Sequence, residues 1–324
     1  MQPQLLPQGS ALLLAVSGGQ DSMALLALLQ DLAPLHGWSL SLWHGDHRWH
    51  DGSSRIAANL STWCQQRQLP LQVDQAALGD VPSEAKARQW RYERLARRGR
   101  EAGADVVTGH TASDRAETML LQLARGSDMA GLAALPSIRP LSPEGPLLRR
   151  PLLHLQRRDT LQICQELALP IWEDPSNQSP EFSRNRIRQE VLPVLEALHP
   201  GSTQRMSDLA ERVSQVRDSQ TELSQMALRL LQTAAGLDRR GLGALSPATR
   251  RLLLAQWLQQ QGVPALPASQ LDELSRRLDN GAPGGAADLA GWCAVGVTAR
   301  GVNVGVRRGA VSYTHLTLPT ILLV

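Results

Sequence analysis

Over roughly the first 110 residues, short apolar runs alternate with longer amphipathic stretches. The run LLLAV (12–16) is apolar at every position, which suits a strand buried on both faces in the middle of a parallel sheet. A helix over 22–32 follows, then a strand SLSLWH (39–44), a helix over 55–68 and a strand LPLQV (69–73). A long helix over 83–103 and a strand ADVVTGH (104–110) complete the alternation. This order predicts right-handed βαβ units, and so an α/β fold with a Rossmann-like parallel sheet and helices on both faces. A further helix runs from Thr111 to residue 125 and stops at Gly126.

Beyond it the pattern changes. A proline-rich connection (PSIRPLSPEGP) leads to RRPLLHLQRRDTLQICQELAL, a helix flanked by basic pairs, and then to a polar loop and another helix. From about 203 to 280 the chain reads as helical and rich in Arg and Gln, and 288–308 alternates around a Thr-Ala-Arg-Gly turn, the pattern of a small hairpin. With 324 residues, two domains are expected: 1–200, and a smaller, mostly helical second domain over 201–310 that ends in the hairpin. Residues 311–324 break from what precedes them and receive no function.

In open α/β sheets ligands bind beyond the carboxyl ends of the strands, so the strand exits are the segments to read for chemistry. The first exit is Ser17-Gly18-Gly19-Gln20-Asp21-Ser22, which enters a helix at once. Loop amides and the positive end of a helix aimed at one point make an anion site. The loop lacks the G-x-x-x-x-G-K-[ST] of a Walker A motif and the G-x-G-x-x-G of a dinucleotide site, and Lys86, far downstream, is the only lysine in the chain. A phosphate grip here therefore rests on amides, hydroxyls and a metal, with Asp21 placed as a Mg²⁺ ligand. The plainer alternative is a strand-to-helix turn that needs glycine for its backbone angles. Two more exits carry polar groups: His44-Gly45-Asp46-His47 and Gly109-His110. Asp114 and Glu117 stand three apart on one helix face, where first-turn acids are also favoured by the dipole.

Composition narrows the classes without choosing among them. A chain that is 42% hydrophobic and 19% charged is an ordinary soluble protein. Its basic residues are nearly all arginines, with a net charge of +3, which permits phosphate or nucleic-acid partners. Cys64, Cys164 and Cys293 are isolated from one another, which argues against a disulfide framework or a zinc site. No apolar run approaches the roughly 20 residues of a membrane helix, and the first apolar run has no basic segment ahead of it, so a cytoplasmic protein with no membrane partner is expected.

The SGGQDS loop resembles that of the PP-loop, or N-type, ATP pyrophosphatases. Within that superfamily the chain is similar to the tRNA(Ile)-lysidine synthetases. The resemblance is carried in order by SGGQDS, HGDHR (44–48), EAKARQWRYERL (84–95), TGHTASDRAETMLLQLARGS (108–127), RRPLL (149–153) and WEDPSNQSPEFSRNRIRQEVLP (172–193), and covers about residues 10–200. It departs at Ser113-Asp114-Arg115, where the family commonly has two adjacent acids and a glutamine, which leaves Asp114 and Glu117 as the acid pair.

The resemblance implies ligation of free L-lysine to C2 of the wobble cytidine of an isoleucine tRNA with a CAU anticodon. ATP adenylates the C2 oxygen, Mg²⁺ assists, and AMP and pyrophosphate leave. It further implies ATP contacts from Ser17, Gly18, Gly19, Gln20, Asp21, Ser22, Asp46 and His47, with Asp21 on the metal. Arg88 and His110 would act at the α-phosphate, Asp114 and Glu117 on the lysine amines, and Arg184, Asn185 and Arg188 on the RNA. A homodimer is compatible with this reading. Two rivals stay open: a PP-loop tRNA thiolase, against which the unpaired cysteines argue, and a non-catalytic RNA-binding relative that keeps the nucleotide shell.

Overall fold

The computed structural model describes residues 5–48, 51–77, 81, 83–172, 182–234, 236–279, 285–289, 293–297 and 301–306. The chain divides into two compact units between Arg217 and Asp218.

The first unit is built on a six-stranded sheet in the order β3-β2-β1-β4-β6-β5. Its strands are β1 (Ala11–Ala15), β2 (Ser39–Asp46), β3 (Leu71–Gln75), β4 (Asp105–Thr108), β5 (Ile138–Pro140) and β6 (Leu147–Arg149). All pairings are parallel except that of the edge strand β5 with β6. Helices α1 (Gln20–His36), α2 (Asp51–Gln66), α3 (Glu84–Ala102), α4 (Ala112–Ala124), α5 (Met129–Leu132) and α6 (Arg157–Glu166) connect or follow these strands.

Period-two alternation sorts the strand residues between two cores. Leu12, Leu14, Leu42 and Val107 pack with Met23, Leu25 and Leu29 of α1 on one face. Leu13, Trp43, Val106 and Leu148 pack with Ala87, Trp90 and Leu95 of α3 on the other. β1 is apolar throughout because both of its faces are covered. Its neighbours are β2 on one side and β4 on the other, so strand order reverses at β1. A crevice at such a reversal is where an open α/β sheet binds its ligand.

Local chemistry sets the helix ends. The Ser83 hydroxyl accepts the Lys86 N–H at the start of α3, and Gly103 ends that helix at φ 57°. Helix α1 runs through Pro34 to His36, past the predicted stop at 32, and ends at Gly37 with φ 66°. Strands β5 and β6 lie in and just after the stretch read as a proline-rich connection. Three-residue strands show too little alternation to read, and β6 is held by long-range bonds: Asp105 accepts the Leu147 N–H at 2.9 Å and the Arg149 guanidinium at 2.7 Å.

After α7 (Ser183–Arg186) comes one π-helical turn, Ile187–Val191, then α8 (Leu192–Leu198) and the 30-residue α9 (Ser202–Leu231), within which the division between the units falls. The second unit contains α10 (Arg239–Gly243), α11 (Pro247–Gln260) and α12 (Ala268–Arg276) around a core of Leu237, Leu253, Leu254, Trp257, Leu274 and Val302. It holds more strand than the expected hairpin. β10 (Cys293–Val297) and β11 (Gly301–Val306) do pair antiparallel, and β7 (Gln232–Thr233), β8 (Gly236–Asp238) and β9 (Gly285–Leu289) extend them to a five-stranded sheet. Residues 298–300 of the expected turn, and the tail 311–324, lie outside the described residues.

Candidate active site

The first strand exit closes on itself. Ser22 Oγ accepts the Ser17 N–H at 3.1 Å and donates to the Gly19 carbonyl at 2.8 Å, so in the 3.1 Å contact between the two hydroxyls Ser17 is the donor. Both serines therefore shape the loop. Gly18 has φ 87°, and a Cβ there would stand 3.2 Å from the Trp172 ring, whose backbone N–H donates to the Gly18 carbonyl at 3.0 Å. At the exit of β4, a Cβ on Gly109 would lie 2.7 Å from the Asp21 carbonyl oxygen. Glycine is needed at that point for the two strand exits to meet.

Asp21, in the first turn of α1, points at α6. Its Oδ1 accepts the Thr160 hydroxyl at 2.5 Å and its Oδ2 lies 3.3 Å from Arg157 Nη1. Burial raises its carboxyl pKa, and the Arg157 guanidinium only partly offsets this. Neither Arg157 nor Thr160 was picked out by the sequence reading. Both lie about 140 positions from the loop, and the one local signal was the basic pair Arg157-Arg158 at the head of a helix.

A second cluster joins α4 to the 184–188 stretch. Glu117 is fully buried and accepts from Arg184 Nε at 2.7 Å and from Arg188 at 2.6 and 2.9 Å. Asp114 Oδ1 accepts from Arg184 Nη2 at 2.9 Å, while its Oδ2 takes the Thr111 N–H at 2.8 Å and the Thr111 hydroxyl at 3.0 Å, capping α4. Burial alone would raise the Asp114 pKa. Arg184, His110 and the Thr111 amide outweigh it and hold the carboxyl well below its usual range. Arg184 and Arg188, expected at the RNA, are thus set beside the two acids, and with Asn185 they line the same cleft. The departure at Ser113-Asp114-Arg115 also has a structural use: Ser113 Oγ accepts the Arg157 N–H at 3.3 Å, and buried Arg115 holds the Leu135 carbonyl at 3.0 Å and Glu211 at 2.9 Å.

His110 receives or donates a 2.8 Å hydrogen bond at Thr108 Oγ1, and burial draws its pKa far down, so the ring is neutral at ordinary pH. The Arg88 guanidinium lies over the Tyr92 ring at 5.0 Å, with Arg139 at 4.7 Å from the same ring. The Tyr92 phenol is buried, which would raise its pKa, yet Arg88, Arg150 and Arg139 pull it down to about 8. Buried Arg150 donates to the Pro136 carbonyl at 2.6 Å.

Asp46 is occupied by the chain's own donors: the Ser53 hydroxyl at 2.8 Å, the Ser54 hydroxyl at 3.0 Å and the Arg48 N–H at 3.0 Å. It clasps the β2–α2 turn. His47 Nε2 lies 3.0 Å from Arg91 Nη2, with the ring edge-on to Trp90. All the sequence-nominated residues of the first two exits except Gly18, together with Arg88, His110, Asp114, Arg184, Asn185 and Arg188, line a cleft of about 370 Å³. A separate hollow of about 500 Å³, lined by Leu26, Trp38, Leu42 and Leu69 among others, carries no ionisable side chain and offers no comparable chemistry.

Among the described residues no three acids, histidines or cysteines converge as a metal cage. One carboxylate, Asp21 of the 17–22 loop, would still suit a hard cation that takes its other ligands from phosphate and water. Among those residues no helix is long and apolar enough to cross a membrane.

Residues 2–195 match the PP-loop domain family, and residues 237–309 match the TilS substrate binding domain. The chain is 66% identical to the tRNA(Ile)-lysidine synthase of Parasynechococcus marenigrum (strain WH8102), over 90% of this chain and 87% of that one. It is 45% identical to the tRNA(Ile)-lysidine synthase of Prochlorococcus marinus (strain SARG), over 86% of each. Among solved structures, the U34-tRNA thiolase NcsA from Methanococcus maripaludis with its 4Fe-4S cluster aligns with a TM-score of 0.55 at 18% identity, covering 65% of this chain and 73% of that one, which shows a shared fold. A PP-loop in the first unit, the family's substrate-binding domain in the second and close identity along nearly the whole chain lead to one assignment: this protein belongs to the tRNA(Ile)-lysidine synthase family.

Proposed function

We infer that the chain ligates free L-lysine to C2 of cytidine 34 in the CAU-anticodon isoleucine tRNA. ATP first adenylates the cytidine, pyrophosphate and then AMP are released, and the codon read changes from AUG to AUA. The observation that carries this reading is the cleft itself, which the 17–22 loop lines together with Asp114, Arg184 and Arg188 at the sheet's reversal point. Cytidine O2 is a poor leaving group, and adenylation converts it to one that departs as AMP when the amine attacks C2.

The amides of the 17–22 loop and the first turn of α1 receive the β- and γ-phosphates. Mg²⁺ bound at Asp21 would neutralise charge developing on the departing pyrophosphate. Arg88, steadied over Tyr92, extends its guanidinium toward the α-phosphate, and neutral His110 supplies a hydrogen bond there. Asp114 meets the lysine ammonium. A carboxylate held so far below its ordinary range is a weak base, so it fixes the amine rather than taking its proton. Arg184, Asn185 and Arg188 face the place where the wobble nucleotide must enter, a single-stranded base being the usual target of sequence-specific RNA recognition. The reaction is placed in the cytoplasm, where tRNA, lysine and ATP meet.

Sulfur delivery in place of lysine finds little support in the thiols. Burial pushes the Cys64 thiol up to about 11 and raises that of Cys164, so neither is a ready thiolate.

The test is incubation with ATP, Mg²⁺, labelled lysine and unmodified CAU-anticodon isoleucine tRNA, beside Asp21→Ala. Label enters the tRNA with the wild type alone. ATP cleavage to AMP without label transfer would sink the lysine assignment while leaving adenylation in place.

A further inference from the structure

The nucleotide site proposed above has a charge problem. A triphosphate brings about four negative charges, the loop contributes a carboxylate and no cation, and the chain's one lysine, Lys86, stands on α3. A guanidinium that does reach the loop is that of Arg157 on α6, about 140 positions further along the chain.

Its position is fixed with unusual thoroughness. Gln20 Nε2 donates to the Arg157 carbonyl at 2.7 Å and to Thr160 Oγ1 at 3.1 Å. Thr160 Oγ1 donates in turn to Asp21, Cys164 Sγ donates to the Gln20 carbonyl at 3.3 Å, and Ser113 Oγ accepts the Arg157 N–H. The first turns of α6 are thus bolted to the phosphate loop on one side and to α4 on the other. The side chain that this bolting aims is about a third exposed (36%) and opens into the cleft.

We propose that Arg157 is the cationic ligand of the β- and γ-phosphates, taking the place that a lysine fills in Walker-type loops, and that it shares Asp21 with the metal that accompanies them. The proposal rests on the nucleotide reading above and names the residue that reading lacked. A guanidinium suits the task because its planar fork can hold a phosphate oxygen on one edge while keeping Asp21 on the other. It would hold pyrophosphate both before and after the P–O bond breaks.

The test uses the full chain and inorganic pyrophosphate, titrated calorimetrically in EDTA, with AMP titrated in parallel. Arg157→Gln weakens pyrophosphate about tenfold or more, the loss expected for a charge-assisted contact, and leaves AMP within about twofold. Arg157→Lys falls between the two and serves if the glutamine variant does not fold. Asp21→Asn strengthens metal-free pyrophosphate binding, because it removes a negative charge and the competitor for the guanidinium. Unchanged pyrophosphate affinity in Arg157→Gln, or equal losses for pyrophosphate and AMP, would overturn the assignment, as would a wild type that binds no pyrophosphate without metal. Failure of lysine transfer with the pyrophosphate pattern intact would remove the reaction proposed above and leave Arg157 as a phosphate ligand.

Discussion

Asp21 and Glu117 are acids of the same unit, and their surroundings are opposites. Glu117 is shut from solvent and clasped by two arginines through three hydrogen bonds. Asp21 has a hydroxyl and one guanidinium at 3.3 Å, and burial raises its pKa. The fold uses Glu117 to fasten α4 to the stretch carrying Arg184 and Arg188. It holds Asp21 where burial disfavours its charged form, an arrangement that a bound cation would relieve.

The comparison breaks first at Glu117. Replacing it by Gln leaves two partly buried guanidiniums with Asp114 as their remaining shared carboxylate, and breaking such a buried pair from one side costs about 3–5 kcal/mol. Urea denaturation should show that loss together with loss of lysine transfer. Full stability in Glu117→Gln would mean that the arginines hold α4 without it. Next comes Gly109→Ala, where the new methyl meets the Asp21 backbone and nothing flexible can give way. Overpacking of that kind costs about 1–3 kcal/mol, and the displaced first turn of α1 should lower the rate by more than the stability loss explains. A rate that tracks only the folded fraction would contradict the claim that this contact sets the site.

A subtler test lies in the sign of a pH effect. The Asp21 pKa is raised by folding, so its contribution to stability is full below the unfolded carboxyl value of about 3.9 and is lost as pH rises through the folded value. That of Asp114 is lowered, so its contribution is present above that value and lost as pH falls through the folded one. At pH 7, Asp21→Asn should therefore match or exceed wild-type stability while abolishing activity, and Asp114→Asn should be less stable. Denaturation midpoints for both variants at pH 7 and near pH 4 decide this. Shifts of the same sign at neutral pH would erase the distinction between the two acids.

How much of this could be read from the chain follows from the range of each interaction. The β1 exit was legible because a fully apolar run, two glycines and a helix start are neighbours in sequence. The pair Asp114 and Glu117 was legible because helix geometry joins residues three apart. What those acids touch was not: Arg184 and Arg188 return from about 70 positions away, and the arginines read as an RNA surface turn inward to carboxylates. Asp46, read as a nucleotide contact, has its oxygens engaged by Ser53, Ser54 and Arg48, none of which differs in composition from ordinary helix-start residues. Arg157 was passed over for the same reason in reverse, as one basic residue in a helix flanked by basic pairs.

The smallest expected effect tests the comparison within the arginines themselves. Arg184, Arg186 and Arg188 alternate along five positions, so a stretch read as one basic cluster contains two environments. Positions 184 and 188 are one helical turn apart and share the face that meets Asp114 and Glu117. Arg186 lies between them on the other side, 61% exposed, paired with Glu190 at 2.8 Å. An exposed pair of that type is screened by water and salt and contributes little. Arg186→Ala should leave the melting temperature and the KM values for ATP and lysine at wild-type levels, while Arg188→Ala, which strips Glu117 of two hydrogen bonds, lowers both stability and rate. If Arg186→Ala instead raised the KM for tRNA alone, with a weaker salt dependence than wild type, the outward arginine would be the RNA contact. The inward pair would then belong wholly to the acids.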